Sequence, residues 1–128
     1  MLHAFTLKNG RLNRIEIKLG DDLSRESPVW IDMVAATPEE TGWIEGNYDL
    51  RLPRPAHLRD IEASARFFEH ECNLHLRSDF LSGKESHSHS VAVAFVLSGE
   101  TLISVHEEDL PIFRLLRMRL HSESGNIE

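Results

Sequence analysis

LRDIEASARFFEHECNLHLRSDF, running from Leu58 to Phe80, decides the fold of this chain. A short helix begins near Pro55, with Leu58 and Ile61 three apart on one face. The chain then turns into an extended strand, reverses tightly at Cys72-Asn73 and returns as a second strand. In the returning strand, alternation puts Leu74, Leu76 and Phe80 on one face and His75, Arg77 and Asp79 on the other.

Working upstream, Leu2 to Leu7 and Leu12 to Ile17 flank Lys8-Asn9-Gly10-Arg11, and Asn-Gly is a favoured pair for a two-residue hairpin turn. Residues 20–28, GDDLSRESP, form a polar connection rich in turn formers. Val29 to Val34 follows as a strand, where Trp30 beside Ile31 predicts cover on both faces. Thr37-Pro38-Glu39-Glu40 has the cap, the first-turn proline and the acid of a capping box. Its helix should bury Trp43 and Ile44 with Tyr48 and be short, because Gly42 and Gly46 weaken it. Downstream, Val91 to Leu97 is apolar on both faces and marks a central strand. Ser98-Gly99-Glu100 turns into Leu102 to Val105. A last helix opens from Asp109, with Phe113, Leu116 and Leu120 at spacings of three and four. The tail SESGNIE is too polar to pack and should fray. The expected fold is α/β in the α+β sense: a mixed, largely antiparallel sheet of six to seven strands with packed helices.

The chain has 128 residues, which suits a single domain over 1–128. Net charge is −7, and the field of such a chain repels a phosphate backbone, so nucleic acid is not expected as a partner. Cys72 is the only cysteine and cannot form an internal disulfide. MLHAFTLKNGR lacks the basic start and apolar core of a secretory signal. The longest apolar run, Val91 to Leu97, falls well short of the roughly 20 residues a membrane helix needs. A soluble piece is expected.

DIEASARFFE (Asp60 to Glu69), VWIDMV (Val29 to Val34), VAVAFVLSGETLISV (Val91 to Val105) and EEDLPIFRLLRMR (Glu107 to Arg119) closely resemble, and follow the order of, stretches in bacterial CorA magnesium and cobalt transporters. The chain resembles the N-terminal cytoplasmic portion of that family over nearly its whole length. The resemblance implies an α/β/α cytoplasmic domain followed by a stalk and membrane helices. It implies a full-length homopentamer in the bacterial inner membrane, with this part on the cytoplasmic face. The family passes Mg²⁺ and often Co²⁺, and its pore carries a Gly-Met-Asn motif that these 128 residues do not contain.

The resemblance also nominates a site. An aspartate in the family's matching Asp-Ile step, Asp60 here, holds a regulatory Mg²⁺ against a neighbouring subunit. Mg²⁺ keeps several waters and needs only one or two carboxylates, which suits such a seam. Glu62, with Glu69 and Glu71 on the next strand, could add outer acceptors, while Arg59 beside Asp60 repels a cation. A lone aspartate on a short helix is otherwise a solvated surface acid.

A different reading uses the histidines. His87 and His89, in KESHSHS, have the spacing to put two imidazoles on one side of a loop over residues 82–90. Zinc sites want three or four ligands, and only His70 or His75 offers a third. On that reading the chain is a free-standing domain binding a partner or a transition metal. Catalysis is not expected: there is no nucleophile elbow, P-loop or dinucleotide glycine pattern. Asp32, within a strand, should cap or bridge the sheet, and Arg114 and Arg117 with His121 form a basic stripe, read as a solvated helix face.

Overall fold

In the computed structural model, the described residues are 1–20, 22–53, 67–70, 73–82 and 89–125. The hairpin at Asn9-Gly10 forms as its chemistry dictates. Strands β1 (Leu2–Lys8) and β2 (Arg11–Ile15) meet with Lys8 opposite Arg11. Asn9 and Gly10 take φ of 53° and 76°, the positive pair such a turn requires. The polar connection that follows contains one helical turn, α1 (Leu23–Glu26), because Leu23 is an apolar side chain driven into the core at 2% exposure.

Strand β3 (Trp30–Val34) is buried at every position, so Trp30 and Ile31 are covered from opposite sides. Helix α2 (Pro38–Tyr48) starts with the full capping box: Thr37 Oγ1 accepts from the Glu40 amide at 3.1 Å, and Glu40 Oε1 accepts from the Thr37 amide at 2.9 Å. It runs 11 residues, longer than its glycines predict, because Gly42 and Gly46 face solvent and Ile44 alone is fully buried. Trp43 and Tyr48 are half-buried.

Strands β4 (Phe67–His70), β5 (Asn73–Ser82), β6 (His89–Ser98) and β7 (Thr101–His106) are joined by antiparallel pairing in that order. His70 pairs with Asn73, so β4 and β5 run antiparallel on either side of the expected reversal, whose Cys72 lies outside the described residues. Helix α3 (Pro111–Gly125) closes the chain and carries Ser122 to Gly125, which the polar tail had been expected to lose from the helix.

The sheet order is β2-β1-β3-β7-β6-β5-β4. Among the described residues only β3 and β7 run parallel, and the other neighbouring pairs are antiparallel. One face, with Ala4, Ile31, Met33, Val96, Ile103 and Val105, packs against Ile44 of α2 together with Leu23, Leu50 and Leu52. The other, with Phe5, Trp30, Val91 and Val93, packs under α3 through Leu110 and Phe113. The expected mixed sheet with helices on it is therefore observed.

Along β5 the alternation holds, but burial does not follow polarity. His75, opposite Val96, lies on the α2 side and is 8% exposed, whereas Leu76, opposite Phe95, is 44% exposed. Alternation sets which residues share a face, but the layer above decides which face is wet.

Candidate functional site

Asp60, Glu62 and His87 lie outside the described residues, as do Arg59, Glu71 and Cys72. His89 is described and opens β6, pairing with Ser82, so the strand begins inside what had been expected to be loop. Its Nε2 meets Glu108 Oε2 at 2.6 Å, and both side chains are about half exposed. Among the described residues no three His, Cys, Asp or Glu side chains are placed to hold a metal ion.

The structure instead assembles a cluster beneath α3. Asp32 sits in an otherwise apolar strand and is fully buried, so its charge has to be met inside the protein. Its Oδ1 accepts from Ser104 Oγ at 2.7 Å and faces His106 Nε2 at 2.6 Å. Its Oδ2 accepts from Arg117 Nη1. The parallel register makes this possible, for Asp32 pairs with Ser104 and Val34 with His106. Trp30 Nε1 donates to Ser104 Oγ at 3.0 Å, so the serine relays between indole and carboxylate.

Arg117 also donates from Nη2 to Asp109 Oδ1 at 2.6 Å, and Arg114 Nε reaches Asp109 Oδ2 at 3.1 Å. The guanidinium thus forks between two acids, one on β3 and one just before α3. His106 Nδ1 contacts the Glu108 carbonyl at 2.6 Å. A carbonyl only accepts, so Nδ1 carries a proton, and Nε2 bonds Asp32 only with a second proton between ring and carboxylate.

Burial alone would raise Asp32, but the His106 contact, the Ser104 hydroxyl and the Arg117 charge outweigh it and hold its carboxyl below the usual range. For Asp109 as well, burial pushes upward and the hydrogen bonds and charges of Arg117 and Arg114 win. His3, opposite Asp32 on β1, is lowered by burial first and then by Arg117 and Arg14. Its Nδ1 accepts from Arg14 Nη2 at 3.1 Å, leaving Nε2 buried without a hydrogen-bond partner.

The expected role of Asp32, bridging the sheet, is what the structure shows. Arg117 corrects the expected solvated stripe: it is 7% exposed and ion-paired, while Arg114 is exposed. The sequence carried a signal for it, since Arg117 follows Phe113 by four and Leu110 by seven, on the helix face that packs down.

Chemically the cluster is a clamp. Every polar atom of Asp32 is occupied, and no acceptor is left for Mg²⁺ where Arg117 already sits. The clefts of about 620 Å³ beside Leu2 and Arg14 and about 340 Å³ beside Tyr48 and Thr101 contain none of its residues. Both acids have lowered pKa values, so their contribution to stability is fully present above their unfolded value of about 3.9. It is lost as pH falls through the folded values. Thermal melts followed from pH 7 to pH 2 should therefore show a steep fall in Tm setting in below about pH 4, and Asp32→Asn should flatten it.

Residues 25–127 match the family described as CorA-like Mg²⁺ transporter protein. The magnesium transport protein CorA of Escherichia coli K12 is 40% identical over 125 residues, 97% of this chain. The chain belongs to the CorA-like Mg²⁺ transporter family. It spans 39% of that relative's length. The soluble domain of CorA from Methanocaldococcus jannaschii shares the fold with a TM-score of 0.65 at 14% identity, over 100% of this chain and 49% of that one. The cytoplasmic domain of ZntB from Vibrio parahaemolyticus does so with a TM-score of 0.63 at 17% identity, over 94% of this chain and 49% of that one. No helix among the described residues is long and apolar enough to cross a membrane.

Proposed function

We propose that this chain is the N-terminal regulatory portion of a CorA-like divalent-cation transporter, lying on the cytoplasmic side of the inner membrane. The observation that carries this reading is the 40% identity to a magnesium transport protein across 97% of the chain. On this reading it catalyses no reaction. The whole protein would be a homopentamer that moves Mg²⁺, and Co²⁺ as a further cargo.

The portion's task would be to sense cytoplasmic Mg²⁺ at a seam between subunits. An ion that binds one arrangement more tightly shifts the population toward it, and loss of the ion lets seam carboxylates repel one another. Asp60 is the proposed ligand, with Glu62 as an outer acceptor. The clamp at Asp32 and Arg117 supports the reading by tying α3 to the sheet, which would pass a displacement at the seam along the chain as a rigid unit.

The transition-metal alternative gains nothing from the described geometry, because His89 already faces Glu108. Asp60→Ala in the complete transporter should shift Mg²⁺-dependent closure to higher concentration by about fivefold or more. Flux into vesicles at graded internal Mg²⁺ measures it, and an unshifted curve would remove Asp60 from the mechanism. The reading frame beyond codon 128 tests the larger claim: two apolar segments of about 20 residues are expected there.

A further inference from the structure

Beside the clamp, His3 is left with an incomplete set of hydrogen bonds. Its Nδ1 lies 3.1 Å from Arg14 Nη2 on β2, and its Nε2 is buried with no partner among the described residues. Arginine is always a donor, so Nδ1 offers a lone pair and the ring's single proton sits on Nε2. The contact therefore exists only while His3 is neutral. A second proton would go onto Nδ1 and point at the guanidinium.

The surroundings favour that neutral state. Asp32 of β3 stands opposite His3, Arg14 approaches from β2 and Arg117 from α3, with Asp109 just before α3. The two acids would attract an imidazolium, but their oxygens are engaged. Ser104 and His106 hold Asp32 Oδ1, Arg117 holds its Oδ2, and Arg117 and Arg114 hold those of Asp109. Burial comes first in lowering His3 below the usual histidine value, then the charges of Arg117 and Arg14, and the two acids only partly offset them.

We propose that the contact between His3 and Arg14 is an acid-released latch, which holds the β1–β2 edge closed near neutral pH and lets go when His3 takes up a proton. Protonation turns the acceptor into a donor, expels Arg14 and sets three cations, His3, Arg14 and Arg117, side by side. Strand β2 is the outer strand of the sheet and is paired on one side only, so it is the strand that yields. Helix α3 packs against β2, so release loosens the seat of the helix at that edge. Linkage sets the direction. With a folded value below the unfolded value of about 6.5, the opened chain binds the proton first. The latch is therefore intact above about pH 6.5 and is lost as pH falls from there through the folded value, ahead of the carboxylate-driven loss below about pH 4. The latch rests on the geometry of His3; its meaning, a cytoplasmic domain that yields when the cell acidifies, rests on the transporter reading.

Amide-exchange protection factors, followed with imidazole NMR from about pH 7.5 to about pH 5, test the latch. At the upper end His3 should be neutral with its proton on Nε2. At the lower end protection of the amides shared by β1 and β2 should fall by about threefold or more, while those shared by β6 and β7 hold. His3→Asn, whose carboxamide oxygen replaces the acceptor but does not titrate, should abolish the fall. Constant protection in the wild type, an equal fall in both strand pairs, or a fall that survives His3→Asn overturns the inference. Arg14→Met, at an exposed side chain, supplies a second test should His3→Asn not fold. Removing the donor and its charge should raise the midpoint at which His3 titrates, and an unmoved midpoint overturns the inference too. None of these outcomes bears on the transporter reading, which the reading frame beyond codon 128 decides separately.

Discussion

Asp32→Ala is expected to cost the fold about 3–5 kcal/mol, the penalty for leaving the partners of a buried ion pair without their counter-charge. For a chain of 128 residues that is a fall in Tm of about 10–20 °C. The magnitude follows from what is stranded. Arg117 would keep Asp109 but lose its buried acceptor, His106 Nε2 would face a void, and Ser104 would lose the oxygen it donates to. None of these groups can turn to water, since Ser104 and His106 are fully buried and Arg117 is 7% exposed. The loss should be local first. Amides of α3 should exchange with solvent before those of β3 and β7, because the clamp is what binds helix to sheet. A Tm within about 5 °C of wild type would show that the cluster is not load-sharing. Replacing Asp32 and Arg117 together should cost less than the sum of the two single changes, the sign of direct coupling.

Much of this architecture was legible from local chemistry. The Asn9-Gly10 turn, the Thr37 capping box and the doubly covered Trp30-Ile31 step each rest on a few neighbouring residues, and each formed as expected. The run Val91 to Leu97 gave a strand inside the sheet for the same reason. What depended on distant partners was harder to see. Periodicity placed Arg117 on a helix face, but only the parallel pairing of β3 with β7 shows that Asp32, Ser104 and His106 gather beneath it. His75 and Leu76 alternate correctly, yet their burial is inverted because α2 and its flanking leucines roof one face and α3 only partly roofs the other. Asp60, the proposed Mg²⁺ ligand, was legible only through family resemblance, because a lone aspartate carries no local signal of a metal site.

Phe113→Ala should be as damaging as the loss of Asp32, by about 3–5 kcal/mol, through a cavity rather than a charge. Phe113 is 7% exposed, and its ring meets those of Phe80 at 5.3 Å, Phe95 at 6.2 Å, Trp30 at 6.5 Å and His106 at 4.8 Å. Four rings cannot collapse onto a methyl group without leaving their own positions, and Trp30 is further held by Ser104 and by stacking on Phe5 at 4.9 Å. Phe113→Leu, which refills most of the volume, should recover more than half of the loss in a denaturant titration. The comparison with Asp32→Ala separates two descriptions of α3. If apolar seating and the ion clamp act independently, the two losses add in the double variant. If α3 docks as one unit, the second change finds the helix already released, and the double variant falls well short of the sum. The shared contacts through His106 and Trp30 favour docking as one unit. In a longer transporter, α3 would then transmit movement as a rigid arm, and strong additivity would count against that.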